Sequence, residues 1–231
     1  MTSELFRRWA AEVAGTALLV GIGTGTIVAA GRVGGIPQWL MAVAWFAAVL
    51  LPILLFIGVS GAHLNPAVTL ALACSGRTAW RAVPRYWAAQ FVGAFVASGV
   101  ILVTLGGGSH LGATSPTSGP LALDFAGEAG FTAALVAAVF ALSDRGEGRY
   151  RWRILLPPLA VGISTYVIGP LTGSSLNPAR TLAPAVLSGT YADLGLYLTV
   201  IPLAAVGVAA IWRPRSVDLS DRGPGRLAPV P

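Results

Sequence analysis

The sequence predicts an all-α membrane protein of six transmembrane helices and two re-entrant half-helices, built as an inverted internal repeat. Three observations carry that prediction. Of 231 residues, 55% are hydrophobic and only 10% are charged, and the mean hydropathy is +0.74. A soluble domain carries about 25% charged residues, so this chain lacks the polar surface to face water on all sides. All 15 Lys or Arg positions are arginine, and they cluster between apolar runs. The tripeptide Asn-Pro-Ala occurs twice, at 65–67 and 177–179, and contains the only two asparagines in the chain. The apolar content excludes intrinsic disorder, and a single cysteine, Cys74, excludes a disulfide scaffold. A net charge of +6 and a pI near 10.4 would suggest nucleic acid in a soluble protein. Here the placement of the arginines assigns the charge to membrane topology, with no nucleic-acid partner.

A bilayer core of about 30 Å needs about 20 mostly apolar helical residues. Such runs fall at 9–30, 36–58, 83–105, 125–143, 154–171 and 193–212. The first is too long for a signal-peptide core and no cleavage site follows it, so it counts as a span. Arg7 and Arg8 precede span one, and Arg77, Arg81 and Arg85 follow span two. Arg145, Arg149, Arg151 and Arg153 follow span four; Arg213, Arg215, Arg222 and Arg226 follow span six. These thirteen share one side, whereas only Arg32 and Arg180 fall on the other. The arginine-rich side is cytoplasmic by the positive-inside rule, which puts both termini in the cytoplasm; the expected location is the plasma (inner) membrane. Residues 1–212 read as one transmembrane domain, and 213–231, rich in Pro, Gly and charge, as a disordered cytoplasmic tail. Trp9, Trp39, Trp80, Trp152 and Trp212 fall near span ends, as an aromatic belt requires, whereas Trp45 lies well inside span two.

The halves, about 9–105 and 125–212, resemble each other. Residues 11–20 match 127–136 at five of ten positions, with Glu12 opposite Glu128; residues 62–71 match 174–183 at seven of ten. The separation from Glu to Asn is 53 residues in the first half and 49 in the second. Each repeat holds three spans, an odd number, so the second must be inverted relative to the first. Inverted repeats place a transport site near the midplane where they meet.

Each Asn-Pro-Ala opens an apolar segment too short to cross. From Pro66 to Cys74 a helix would reach only about 14 Å, half a bilayer, and Pro178 to Leu187 is similar. The topology sends the first half-helix in from the cytoplasm and the second from outside, tip to tip. Asn65 and Asn177 are strong N-caps, and Pro66 and Pro178 suit the first helical position, with Ala67 and Ala179 following. The asparagine oxygens can accept from their own helices, leaving the NH₂ groups as donors. Each tip carries about half a positive charge from its helix dipole, so the pair repels cations. The stretches before them, 61–64 and 173–176, are expected to be non-helical, with carbonyls that a water-filled file would satisfy. Arg180 lies on the first turn of the second half-helix, where the repeat has Val68; it reads as a donor and a second cation barrier outside the tips.

With these residues in place the sequence resembles the aquaporins and glycerol facilitators, the major intrinsic proteins, from about Glu12 to Trp212. The resemblance rests on residues 60–69, Ser-Gly-Ala-His-Leu-Asn-Pro-Ala-Val-Thr, on residues 176–180, Leu-Asn-Pro-Ala-Arg, on the Glu12 and Glu128 repeat, and on Gln90 in span three. It implies a homotetramer of right-handed bundles, each with its own pore. It also implies that Glu12 and Glu128 accept from backbone N–H groups of the carbonyl stretches, with Gln90 acting likewise, in preference to a proton relay. His63 is expected to line the cytoplasmic vestibule as a neutral side chain, His110 to be solvated in an external loop, and Cys74 to be an inert buried thiol. Counting from the two asparagines, the family's selectivity filter falls on Trp45, Thr165, Ser174 and Arg180. Trp45 and the tract 169–173 resemble glycerol facilitators. Position 165 has neither the His of water-selective members nor the Gly of facilitators, Ser174 replaces the facilitator's aromatic, and Thr181 stands where facilitators carry Asp.

The expectation is a passive channel for water and for small neutral solutes such as glycerol, which excludes protons and ions. No cofactor or metal is implied, and no nucleophile–base pair or phosphate loop suggests an enzyme. A secondary transporter would also use inverted repeats, but it would need an ion site with a titratable or carbonyl-rich cage. A poreless membrane protein would leave Arg180 and both asparagines unexplained.

Overall fold

A computed structural model describes residues 2–116, 121–143, 150–191 and 193–212. The expected tail at 213–231, with its four arginines, and the positions of Arg145 and Arg149 lie outside the described residues. The described chain is helical, without strands. Its long helices are α1 (Ser3–Arg32), α2 (Gln38–Ser60), α4 (Val83–Leu105), α5 (Leu121–Ser143), α7 (Leu156–Thr172) and α9 (Leu194–Ile211). The half-helices are α3 (Pro66–Cys74) and α8 (Pro178–Ser188), and α6 is a single turn, Tyr150–Arg153.

The helices follow the expected spans to within two residues, except that α1 and α5 begin six and four residues early. α1 begins six residues before the apolar run because Thr2 caps it, accepting from the Leu5 N–H at 3.4 Å, and Arg8 pairs with Glu4 one turn away at 2.5 Å. Five of these helices are long and apolar enough to cross a bilayer; α7 has 17 residues, the lower limit for a span. Glycines in the left-handed conformation end α2 (Gly61, φ 87°) and α7 (Gly173, φ 76°), where the chain leaves the helix for the non-helical stretches.

The packing repeats the sequence symmetry. α1 packs on α2 and α4, and α5 on α7 and α9, while α2 against α7 joins the halves. Each half-helix lies chiefly against the third long helix of the other half: α3 on α9, and α8 on α4. α1 and α4 approach so closely that a Cβ on Gly93 would sit 2.3 Å from the Val13 carbonyl oxygen, so only glycine fits there. The outward surface is apolar, with Leu55, Val103, Ile163 and Leu203 each more than half exposed. Glu12, Gln90, Glu128 and Arg180 are wholly inside. Apolar side chains outside and enclosed polar side chains inside suit a lipid solvent.

Candidate functional site

The site is built from the two non-helical stretches and the half-helix tips they lead to. In residues 61–64 and 173–176 the left-handed conformation is not confined to glycine: Ala62 (φ 49°), Leu64 (55°), Ser174 (46°) and Leu176 (54°) adopt it too. Such residues cost of order 1 kcal/mol each and persist only where their surroundings over-determine them. Here the constraint is a buried carboxylate in each half. Glu12 accepts from the His63 N–H at 2.9 Å, the Leu64 N–H at 2.8 Å and the Ser60 hydroxyl at 2.7 Å. Glu128 accepts from the Ser175 N–H at 2.9 Å, the Leu176 N–H at 3.1 Å and the Thr172 hydroxyl at 2.7 Å. Gln90 does not reach the stretch itself. Lying behind Glu12 on α4, it donates through Nε2 to Glu12 Oε2 and to Thr69 Oγ1, both at 2.9 Å.

Two further residues, not anticipated from sequence, complete this support. The Tyr86 hydroxyl donates to the Ser60 carbonyl at 2.6 Å, and the Tyr197 hydroxyl to the Thr172 carbonyl at 2.5 Å. They occupy equivalent positions in the two repeats, which was the available signal. Their bonds hold the last helical carbonyl before each stretch, so the chain turns away from the helix at a fixed point.

At the tips, Asn65 Oδ1 accepts from the Ala67 N–H at 2.8 Å, and Asn177 Oδ1 from those of Ala179 at 3.0 Å and Arg180 at 3.3 Å. Pro66 and Pro178 take the first helical position in each. The amide nitrogens cross over: Asn65 Nδ2 donates to the Leu176 carbonyl at 2.7 Å, and Asn177 Nδ2 to the Leu64 carbonyl at 2.9 Å. Each NH₂ has two hydrogens, so each asparagine ties the opposite stretch in place and keeps one N–H. Both asparagines border an internal cavity, together with Ala62, His63 and Ser175. Its other wall is aliphatic, including Val49, Ile53, Val68, Leu135 and Val161. The carbonyls of Gly61, Ala62, His63, Ser174 and Ser175 accept no hydrogen bond among the described residues. The cavity is therefore polar along one side and apolar along the other.

His63 borders this cavity on the first-half side, with Nδ1 3.2 Å from Thr69 Oγ1 and its ring 4.3 Å from that of Tyr86. Trp45 also borders it, and Trp45, Thr165, Ser174 and Arg180 are all buried, none more than 3% exposed. The Arg180 guanidinium lies 4.8 Å from the Trp45 ring centroid, a cation–π distance. Its Nη1 donates to the Gly112 carbonyl at 2.8 Å and its Nη2 to the Gly173 carbonyl at 3.4 Å. Ser174 pairs with Ser164 at 2.6 Å. Gly112 comes from a loop, Gly108–Gly112, whose Ser109, His110 and Leu111 are all left-handed, and Leu111 is fully buried. Thr114, just beyond, donates to Thr181 at 3.2 Å, and Thr181 bonds in turn to Ser175. Nothing local in the sequence marked Gly112 or Thr114, because their partners lie some 67 residues away.

Besides Gln90, two expectations need correction. Cys74 is exposed, because the far end of α3 reaches the surface of the bundle. His110 is exposed but not merely solvated: its Nδ1 lies 3.2 Å from Thr190 Oγ1, which joins the loop to the turn after α8. Among the described residues, no group of three or more His, Cys, Asp or Glu side chains could hold a metal ion.

Known proteins share both the sequence and this architecture. The chain is 34% identical over 221 residues to the aquaporin NIP1-3 of Oryza sativa subsp. japonica, covering 92% of this chain and 74% of that one. It is 35% identical over 215 residues to a glycerol uptake facilitator protein of Pseudomonas aeruginosa, covering 81% and 76%. Among solved structures, the aquaglyceroporin from Plasmodium falciparum superposes with a TM-score of 0.77 at 25% identity, over 90% of this chain and 95% of that one. The family description of the major intrinsic proteins matches residues 1–212. With the mirrored half-helices, their asparagine caps and their buried carboxylate supports, this establishes the chain as an integral membrane protein of the major intrinsic protein family.

Proposed function

We propose that this chain forms a passive transmembrane pore for water and small neutral solutes such as glycerol, and that it excludes protons and ions. The observation that carries the reading is the crossed pair of asparagines, each with one N–H committed to the opposite stretch and one left for a permeant oxygen. A solute moving along the cavity meets carbonyl acceptors, then two donors at the centre, then acceptors again. An oxygen held by both asparagine donors must turn its own hydrogens outward toward the carbonyls, which breaks a continuous proton wire. The two half-helix N-termini meet there, so a cation is opposed by about half a charge from each. The aliphatic wall offers a solute's carbon backbone no competing hydrogen bond.

Trp45, Thr165, Ser174 and Arg180 form the selectivity filter in this proposal. Trp45 offers an apolar face, and Arg180, Thr165 and Ser174 offer polar groups. Neither a His at position 165 nor an aromatic at 174 narrows the opening, so glycerol should pass with water. The Pseudomonas aeruginosa relative is named for glycerol uptake, which supports this solute class. The protein acts as a channel with no enzymatic step, as a homotetramer in the plasma membrane with both termini cytoplasmic. Stopped-flow light scattering on reconstituted vesicles tests the proposal. Water and glycerol fluxes should exceed those of empty vesicles, with a low activation energy and no response to sodium or proton gradients. Gradient-dependent flux would instead make the protein a secondary transporter.

A further inference from the structure

Glycine inside a helix costs about 1 kcal/mol relative to alanine, so a buried helical glycine calls for a packing reason. Gly23, in the middle of α1, has one. A Cβ at this position would lie 2.6 Å from Trp45 Cη2, 2.6 Å from Cζ3 and 2.8 Å from Cε3. Real Cβ atoms do not come this close, and neither neighbour can yield cheaply: the indole is rigid and 3% exposed, and α1 is held by its packing on α2 and α4. The six-membered ring of Trp45 therefore fills the space that a side chain on Gly23 would need. The same ring lies 4.8 Å from the Arg180 guanidinium and borders the cavity. Gly23 itself does not border the cavity.

We infer that Gly23 is a specificity-positioning residue: by leaving α1 bare beneath Trp45, it lets the indole withdraw far enough from Arg180 for a polyol to pass. The inference rests on the reading of Trp45 as a filter residue. It assigns α1, which supplies no filter side chain, a part in size selection. With a methyl group at position 23 the ring must move off α1, toward the opening bounded by Arg180, Thr165 and Ser174. The three-carbon solute is then obstructed before water is.

The test compares Gly23→Ala, Trp45→Leu and the double variant Gly23→Ala/Trp45→Leu in proteoliposomes, reading the glycerol-to-water permeability ratio and the flux of erythritol, a larger polyol. Gly23→Ala should lower the ratio about tenfold, in the range by which a pocket discriminates a methylene-sized difference. Trp45→Leu should admit erythritol. In the double variant the alanine should have no further effect, because the ring it displaces is gone. That comparison also guards against misfolding, since alanine at 23 favours the helix and should be harmless once the indole is removed. A ratio unchanged or raised by Gly23→Ala, while Trp45→Leu alters selection, would overturn this inference and leave the filter reading standing. If Trp45→Leu changes neither solute, both fall. An equal effect of Gly23→Ala with and without the indole would show that the glycine acts on helix packing and not through Trp45, and would also overturn it.

Discussion

The two halves of this molecule repeat one support and differ in what they hang on it. In each, a glutamate on the first helix accepts two backbone N–H groups and a hydroxyl, a tyrosine on the third long helix holds the last helical carbonyl, and an asparagine caps the half-helix. The side chains around that support diverge. Four residues after the tyrosine stands Gln90 in the first half, tying Glu12 to Thr69, and the buried Ile201 in the second. Three residues after the asparagine stands Val68 in the first half and Arg180 in the second, with Trp45 and the Gly112 carbonyl recruited to hold it. Thr69 bonds His63, whereas Thr181 bonds Ser175 and Thr114. The repeated part keeps two strained stretches aligned, which any pore of this shape needs. The divergent part centres on Arg180, which stands where the first half has Val68.

Breaking the repeated part should have the largest effect. Glu12→Ala and Glu128→Ala each strand two buried backbone N–H groups. Hydrogen bonds to charged groups are worth about 1.5–3 kcal/mol, so each variant should lose several kcal/mol and much of its folded yield. The comparison predicts an order. Glu12 also accepts from Gln90, so Glu12→Ala should be the less stable by about one such bond. Denaturant titration in detergent checks this, and equal losses would show that Gln90 adds nothing to the first support.

A smaller change makes the second half resemble the first. Arg180→Val copies Val68 and removes the guanidinium while leaving both helix dipoles. Water flux should persist, with a measurable rise in proton or cation leak through the reconstituted protein. An unchanged leak in a folded variant would show that the dipoles suffice, and that Arg180 serves only to select among neutral solutes. The reverse change on the support, Gln90→Ile, copies Ile201. It should cost about 1–3 kcal/mol by leaving Thr69 and Glu12 each one donor short, with the glycerol-to-water ratio unaltered. A shift in that ratio would mean the support takes part in selection.

The smallest expected effect concerns mercurials. Cys74 is exposed at the far end of α3 and does not border the cavity, so water flux in the wild type should resist mercury reagents. Ser174→Cys, placed among the filter residues, should become sensitive. Inhibition of the wild type would show that Cys74 communicates with the pore.

The sequence makes the repeated part legible and most of the divergent part obscure, for a physical reason. Asn-Pro-Ala, the paired glutamates and the apolar run lengths are local signals, because capping and bilayer thickness act through residues near in sequence. The filter positions are found only by counting from the asparagines along a family resemblance. The crossing of Asn65 and Asn177 to each other's stretches spans more than 110 residues, and no spacing rule shows it. Gly112 sits in a glycine-rich loop indistinguishable from a solvated turn until Arg180 is seen against its carbonyl. Gly23 is one of several glycines in α1, and only the Trp45 ring sets it apart. Cys74 was misplaced because an apolar half-helix suggests burial along its whole length, although its last residue reaches the surface.

If selection resides on the second-half side of the asparagines, the permeability ratio must respond to a filter substitution and not to one on the opposite wall. The glycerol-to-water permeability ratio would be read in vesicles containing Thr165→His, which enlarges a filter side chain, and in vesicles containing His63→Ala, which alters the cavity wall on the first-half side. The ratio should fall about tenfold or more for Thr165→His, equivalent to about 1.4 kcal/mol, and His63→Ala should stay within about twofold of the wild type. A ratio that moves with His63 and not with Thr165 would contradict it.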